Sequence, residues 1–186
     1  MKKALLIIGS ILLLAVIYVV YVMISSRGLS PEATAKITEG SFEGQVTYCR
    51  PYKKDRLIFG PESEGALVPY GVNWRTGANA ATELTINQDV SIGNQNLAKG
   101  TYSIYTIPNA DSWVVALNSD TGYWGAGLSD PYDPEHDVLR AEVPTQRLDS
   151  IAEQFEIRWQ PKNDSTLHLQ LFWDQTLVEV PVQLLK

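Results

Sequence analysis

Cysteine, histidine and methionine are nearly missing from this chain, which has one Cys, two His and two Met among 186 residues. A single cysteine closes no internal disulfide, so the fold must be held by packing. Cys49 has no histidine near it in sequence and reads as a small buried hydrophobe rather than a reactive thiol. Two histidines leave little for acid–base chemistry near neutral pH and are too few for a histidine-built zinc site. There is no G-x-S-x-G elbow, no phosphate-binding glycine loop and no H-E-x-x-H helix. Positive charge is also scarce, with 15 Lys and Arg against 21 Asp and Glu. Lys2, Lys3 and Arg27 account for the first three cations, so residues 28–186 carry −9 out of the chain's −6. Such a balance argues against nucleic acid and against anionic lipid as partners of that part of the chain.

What is present begins with an apolar run. Ala4 to Ile24 contains no charged side chain and follows Lys2 and Lys3. As a helix it would rise roughly 31 Å, the hydrocarbon thickness of a bilayer. A signal peptide starts similarly, but its apolar core usually spans about 7–15 residues. The exit Met23-Ile24-Ser25-Ser26-Arg27 also lacks an A-x-A cleavage pattern. An uncleaved single-pass anchor over residues 1–27 is the expectation, with a cytoplasmic N-terminus and an extracytoplasmic C-terminal domain. Tyr18 and Tyr21 suit the far interface. Residues 28–39, with Gly28, Ser30 and Pro31, read as a polar spacer, and residues 40–186 as one domain.

That domain shows the period of strands. Leu84, Ile86, Val90 and Ile92 share one parity, opposite Glu83, Thr85, Asn87, Asp89 and Ser91. Turn signals at Gly93–Asn96, Lys99-Gly100 and Pro108–Asp111 separate the runs Tyr102–Ile107 and Trp113–Leu117. The second run is apolar on both faces and should be central. Phe155, Ile157 and Trp159 alternate, as do Leu167, Leu169, Leu171 and Trp173, around a Pro161–Asp164 turn that predicts a hairpin. Val178, Val180 and Val182 follow, and Pro181 puts their strand at an edge or its end. The expected fold is all-β, an antiparallel β-sandwich or jelly-roll carried on an N-terminal transmembrane helix.

Polar and aromatic residues concentrate between Tyr48 and Thr82. Tyr48-Cys49-Arg50-Pro51, Asp55-Arg56-Leu57-Ile58-Phe59-Gly60, Leu67-Val68-Pro69-Tyr70-Gly71 and Trp74-Arg75-Thr76-Gly77-Ala78-Asn79 follow in close order. With Gly100-Thr101-Tyr102-Ser103, Trp124-Gly125-Ala126 and Asp137-Val138-Leu139-Arg140, these blocks resemble the bacterial family known as domain of unknown function 2911. The resemblance covers essentially the whole external domain. It implies a β-rich protein that is secreted or attached to a membrane, and it implies no reaction. This chain has Cys49 where members often carry serine, and Ala80 where an acidic residue commonly follows the asparagine.

Arg50, Arg56 and Arg75 lie amid Tyr48, Tyr52, Phe59, Tyr70 and Trp74. A guanidinium clamps carboxylate or phosphate in its plane and stacks on aromatic faces. One reading is a site for a small anionic or sugar-like ligand built from Arg50, Arg56, Arg75, Trp74, Asn79 and Tyr48. The other is local pairing that holds an irregular segment against the strands. The expectation assigns Arg75 to structure, and Arg50 and Arg56 to a ligand. Asp130 to Asp137 adds four carboxylates and His136, but matches neither a calcium loop nor a zinc set. No metal or other cofactor is therefore expected. Two functions remain: a non-catalytic, membrane-anchored binding or interaction module meeting a ligand or an envelope protein, and a hydrolase-like enzyme using His136 and the acidic loop, with or without the help of a metal ion.

Overall fold

The computed structural model describes residues 2–124 and 132–185, and within the first helix the side chains of residues 2, 4–6, 23, 26 and 27 lie outside that description. Helix α1 is Lys2–Leu29. From Ile7 to Val22 its large apolar side chains are exposed all the way round, Leu14 at 65% and Val22 at 45%. Among the described residues no helix is long and apolar enough to cross a membrane. The described stretch from Ile7 to Val22 rises only about 24 Å against roughly 30 Å of hydrocarbon.

The spacer expected at residues 28–39 is replaced by secondary structure. The helix continues to Leu29, Ser30 and Pro31 make the whole connection, and β1 (Glu32–Glu39) begins at once. Ala33, Ala35 and Ile37 lie on one face and pack against the core, a period of two that small residues made inconspicuous. β1 pairs with β2 (Phe42–Cys49) through a turn at Gly40. A short parallel pair, β3 (Phe59–Gly60) with β4 (Val68–Pro69), follows in the irregular segment.

The remaining strands are β5 (Thr82–Ile86), β6 (Val90–Ile92), β7 (Gln95–Leu97), β8 (Gly100–Pro108), β9 (Ser112–Asn118), β10 (Asp137–Asn163) and β11 (Thr166–Leu184). They join one antiparallel sheet in the order β1-β2-β5-β8-β9-β10-β11-β6-β7. β9 is in the middle, as its apolar faces require. The single parity run from Leu84 to Ile92 breaks into two strands with different neighbours. β5 lies between β2 and β8, whereas β6 lies between β11 and β7. The bend at residues 87–89 preserves facing, so Leu84, Ile86, Val90 and Ile92 are all buried. β10 makes the corresponding transfer, pairing with β9 up to Pro144 and with β11 from Thr145. Pro181 falls between the part of β11 that pairs with β10 and the part that pairs with β6, where its missing N–H costs no ladder bond.

One core cluster draws on β2, β5, β6, β7, β8, β9, β10 and β11. Its centre is aromatic. Trp74 stacks on Trp173 at 5.6 Å and meets Phe59, Trp113 and Phe155 edge-on.

Candidate functional site

The Trp74–Asn79 segment is a tight turn pinned at both ends. Trp74 exchanges two backbone hydrogen bonds with Thr106, at 2.7 and 2.8 Å, and its indole N–H donates to the Gly77 carbonyl at 3.1 Å. Thr76 sits at φ +55°, a conformation unfavourable for a β-branched residue by about 1–3 kcal/mol. It is held there fully buried, its hydroxyl on Thr106 and its carbonyl accepting from Thr82 at 2.6 Å. Gly77 is required because a Cβ would come within 3.0 Å of the Cys49 carbonyl. Asn79, also at positive φ, donates its amide to the Ser30 carbonyl at 3.3 Å, tying the turn to the residue that follows α1.

This turn walls a pocket of about 620 Å³. Trp74 and Trp173 contribute to its lining from the core, with Arg75 and Asn79 from the turn and Tyr52, Lys54, Arg56 and Leu67 from the loop after β2. Leu29 and Ser30 place the pocket where α1 ends. No acidic residue lines it among the described residues, and Lys54, Arg56 and Arg75 make no ion pair among them. Arg75 is half-buried and makes one hydrogen bond among the described residues, from Nη1 to the Asn79 carbonyl at 3.3 Å. Arg56 is exposed and donates to the carbonyls of Lys53 and Tyr52. Arg56, Arg75, Trp74 and Asn79 of the expected set therefore converge.

Arg50 and Tyr48 do not line this pocket; both are structural. The Tyr48 hydroxyl accepts from Ile157 N–H at 2.9 Å and lies 3.2 Å from the Ile157 carbonyl. Arg50 Nε donates to the Phe155 carbonyl at 3.1 Å, and Nη2 lies 3.8 Å from Glu156. Together they clasp the end of β2 to β10. Arg50, expected at a ligand, thus fastens the fold, whereas Arg75, expected to be structural, both bonds the Asn79 carbonyl and lines the pocket. Sequence shows both beside aromatics, and only the partner strand, over 100 residues away, tells them apart.

His136 lies at the other described cluster. Its Nδ1 is 2.5 Å from Asp120 Oδ2, just past β9 and just before β10, where the hairpin brings the two together. The hydrogen bond to Asp120, then its charge and those of Asp133 and Glu135, raise the His136 pKa above the ordinary 6.5. The acidic residues of this loop are otherwise dispersed. Asp133 caps the 3₁₀ turn Pro134–His136, Asp137 joins Tyr105, Arg140 and Asn118, and Asp130 and Pro131 lie outside the described residues. Among the described residues no three His, Cys, Asp or Glu side chains are grouped to hold a metal ion. Trp124 is 40% exposed. Because the folded pKa of His136 is raised and that of Asp120 is lowered, the pair's stabilising effect is complete from about pH 6.5 down to the usual carboxylate range, fades as pH rises through the raised His136 value, and is lost again in acid as Asp120 takes up its proton. An NMR titration should place the His136 midpoint above 6.5, and Asp120→Asn should bring it down; an unchanged midpoint would refute the pairing.

A family model described as protein of unknown function (DUF2911) matches residues 30–182. The chain belongs to that family. No curated protein and no solved structure matches it. The matched span of this DUF2911 protein contains every lining residue of the pocket named above except Leu29.

Two members of these clusters escaped the sequence reading of the DUF2911 domain. Lys54 is the third pocket cation, signalled only by the Lys53-Lys54 pair next to Asp55-Arg56. Asp120 is hidden because a long connection separates it from His136. His168 is mostly buried beside Glu179 at 3.4 Å. Glu179 accepts from Gln170 at 2.6 Å and Gln146 at 3.0 Å, with Lys162 at 3.3 Å, and these partners, Gln170 first, hold its pKa down at about 2. That carboxylate braces β10 against β11.

Proposed function

We propose that this is a single-pass membrane protein of the cell envelope whose extracytoplasmic β-sandwich is a non-catalytic binding module for a small anionic ligand. The observation that carries the reading is the convergence of Lys54, Arg56 and Arg75, without a lining carboxylate, on an aromatic-walled pocket in a domain that is otherwise acidic. Guanidinium groups left with spare donors suit phosphate or carboxylate oxygens, and the exposed ring of Tyr52 offers a face to an attached apolar or sugar-like group, with the buried Trp74 and Trp173 forming the floor. Anchoring is supported by α1, whose large apolar side chains from Ile7 to Val22 are exposed on all sides. A helix apolar all round needs a cover that water does not supply, and the full run from Ala4 to Ile24 has a bilayer's length. The sandwich reading is supported by the long strands β10 and β11, whose two halves pair with different neighbours around one core.

Binding is tested with the full chain in detergent, using inorganic phosphate and citrate as probes and tryptophan fluorescence as readout. Saturable binding is expected, weakened about tenfold or more by Arg75→Gln, the scale of one charge-assisted contact. Absence of saturation with both probes, or equal affinity in the variant, would refute the reading. Topology is tested separately. Protease added to intact spheroplasts should digest the domain, and protection would place it inside.

The hydrolase-like alternative has its own observation, the Asp120–His136 pair, in which the carboxylate orients an exposed imidazole as a general base requires. It lacks a described nucleophile on the ring's other nitrogen. Turnover of ester or phosphoester substrates abolished by His136→Ala would establish it.

A further inference from the structure

We infer that the pocket at the helix exit seats the phosphate of an anionic phospholipid from the leaflet in which α1 ends, so that the domain rests on the bilayer surface. This inference rests on the anchor and anion-site readings above and names the ligand class. Four observations lead to it. The first is height. Leu29 lines the pocket and lies five residues beyond Ile24, the last residue of the apolar run, which is about 7–8 Å along a helix. The headgroup layer beyond the hydrocarbon is roughly 5–8 Å deep on each side. A pocket bordered by Leu29 and Ser30 thus opens at the level where lipid phosphates lie.

The second is rigidity of the connection. Only Ser30 and Pro31 join α1 to β1, and both are fastened: the Ser30 carbonyl accepts from Asn79, and the Pro31 carbonyl accepts from Arg50 N–H at 2.9 Å. The pocket cannot swing far from the helix end. The third is the character of its rim. Tyr52 and Leu67 of its lining are 38% and 43% exposed, and Leu57, which lies outside the lining and is 40% exposed, adjoins Leu67 through the Leu67 N–H to Leu57 carbonyl hydrogen bond at 2.9 Å. Exposed Tyr and Leu interleaved with Lys54 and Arg56 on one loop make a surface suited to a membrane interface, with apolar groups entering between headgroups and cations meeting phosphate.

The fourth is charge. Residues 28–186 carry −9, which argues against general adhesion to an anionic surface, yet the pocket concentrates three cations that have no ion-pair partner among the described residues. Binding would therefore be local and stoichiometric. A net negative ligand suits this pocket best, because it offers three cations and, among the described residues, no lining carboxylate to receive a cationic headgroup amine.

The full chain is reconstituted in nanodiscs of phosphatidylcholine with and without phosphatidylglycerol, and lipid retained on ejection is read by native mass spectrometry. One phosphatidylglycerol should be retained in preference to phosphatidylcholine by about tenfold. The preference should fall in the exposed-loop variant Arg56→Gln and vanish in Lys54→Gln/Arg56→Gln/Arg75→Gln, while Lys99→Gln, remote from the pocket, keeps it. Equal retention of the two lipids, or a preference that survives the triple substitution, would overturn the inference. The two readings separate in the phosphate titration of the phosphatidylcholine discs. Saturable phosphate binding with no lipid preference leaves an anion site and removes the lipid, whereas failure of both removes both.

Discussion

Trp74→Ala is expected to destabilise the domain by about 4–5 kcal/mol, the upper range for removing a large aromatic from a core. The residue is 9% exposed and is the common neighbour of Trp173, Phe59, Trp113 and Phe155. Alanine would leave four rings without their central partner and a cavity that a sheet fixed by Thr106 backbone bonds can only partly close. The substitution would also leave the Gly77 carbonyl without its indole donor, loosening the turn that holds Arg75. Against a total stability of roughly 5–15 kcal/mol, such a loss brings the domain close to unfolding at room temperature. Trp74→Phe keeps most of the packing and should cost about 1–2 kcal/mol, mostly through the missing hydrogen bond and the smaller ring. Denaturant titration of the two variants in the full chain measures the difference. A loss below about 1 kcal/mol for the alanine variant would mean that the aromatic cluster is not the centre of the fold.

The same residue shows how far the sequence is legible. Strand periodicity is a local signal, so the parity of Leu84 to Ile92, the centrality of Trp113 to Leu117 and a hairpin between the Phe155 and Leu167 runs are visible in the chain and present in the structure, although the turn is Asp164-Ser165 and residues 161–163 belong to β10. Where one parity run changes neighbours is not local. The bend at residues 87–89 conserves facing, so nothing in the hydrophobic pattern marks it. β1 was hidden for a different reason, since two alanines on its core face resemble spacer composition. At the site, residue type was informative and geometry was not. Arginines near aromatics pointed to the segment that walls the pocket, but whether a guanidinium faces a cavity or a carbonyl depends on a strand brought in from residues 154–157. Arg50 found Phe155 and Glu156 there, whereas Arg75 reaches the Asn79 carbonyl within its own turn and lines the pocket. Asp120 and His136 could be paired only with the β9–β10 register known.

Asp137→Ala is expected to cost about 3 kcal/mol and to disturb the loop that carries His136 as well. The carboxylate is 6% exposed at the foot of the β9–β10 hairpin, and it accepts from the Tyr105 hydroxyl at 2.6 Å, Arg140 Nε at 2.6 Å and Asn118 Nδ2 at 2.9 Å. Tyr105 and Asn118 are themselves fully buried, so removing their acceptor strands donors that water cannot reach. Arg140 is 44% exposed and can be rehydrated, which keeps the loss below that of a fully buried ion pair. Burial, then the hydrogen bond to Asp137, push the Tyr105 pKa up to about 12, so the phenol remains a donor at physiological pH. Asp137→Asn retains one acceptor oxygen and should cost about half as much. If the network is the cause, Tyr105→Phe combined with Asp137→Ala should cost less than the sum of the two, with a coupling of about 1–2 kcal/mol. Additive losses would show that Asp137 acts through backbone geometry alone. The network also fixes the hairpin that sets His136 against Asp120. In Asp137→Ala the His136 titration should therefore shift back toward its ordinary value of 6.5, although the substituted residue makes no side-chain contact with the imidazole among the described interactions.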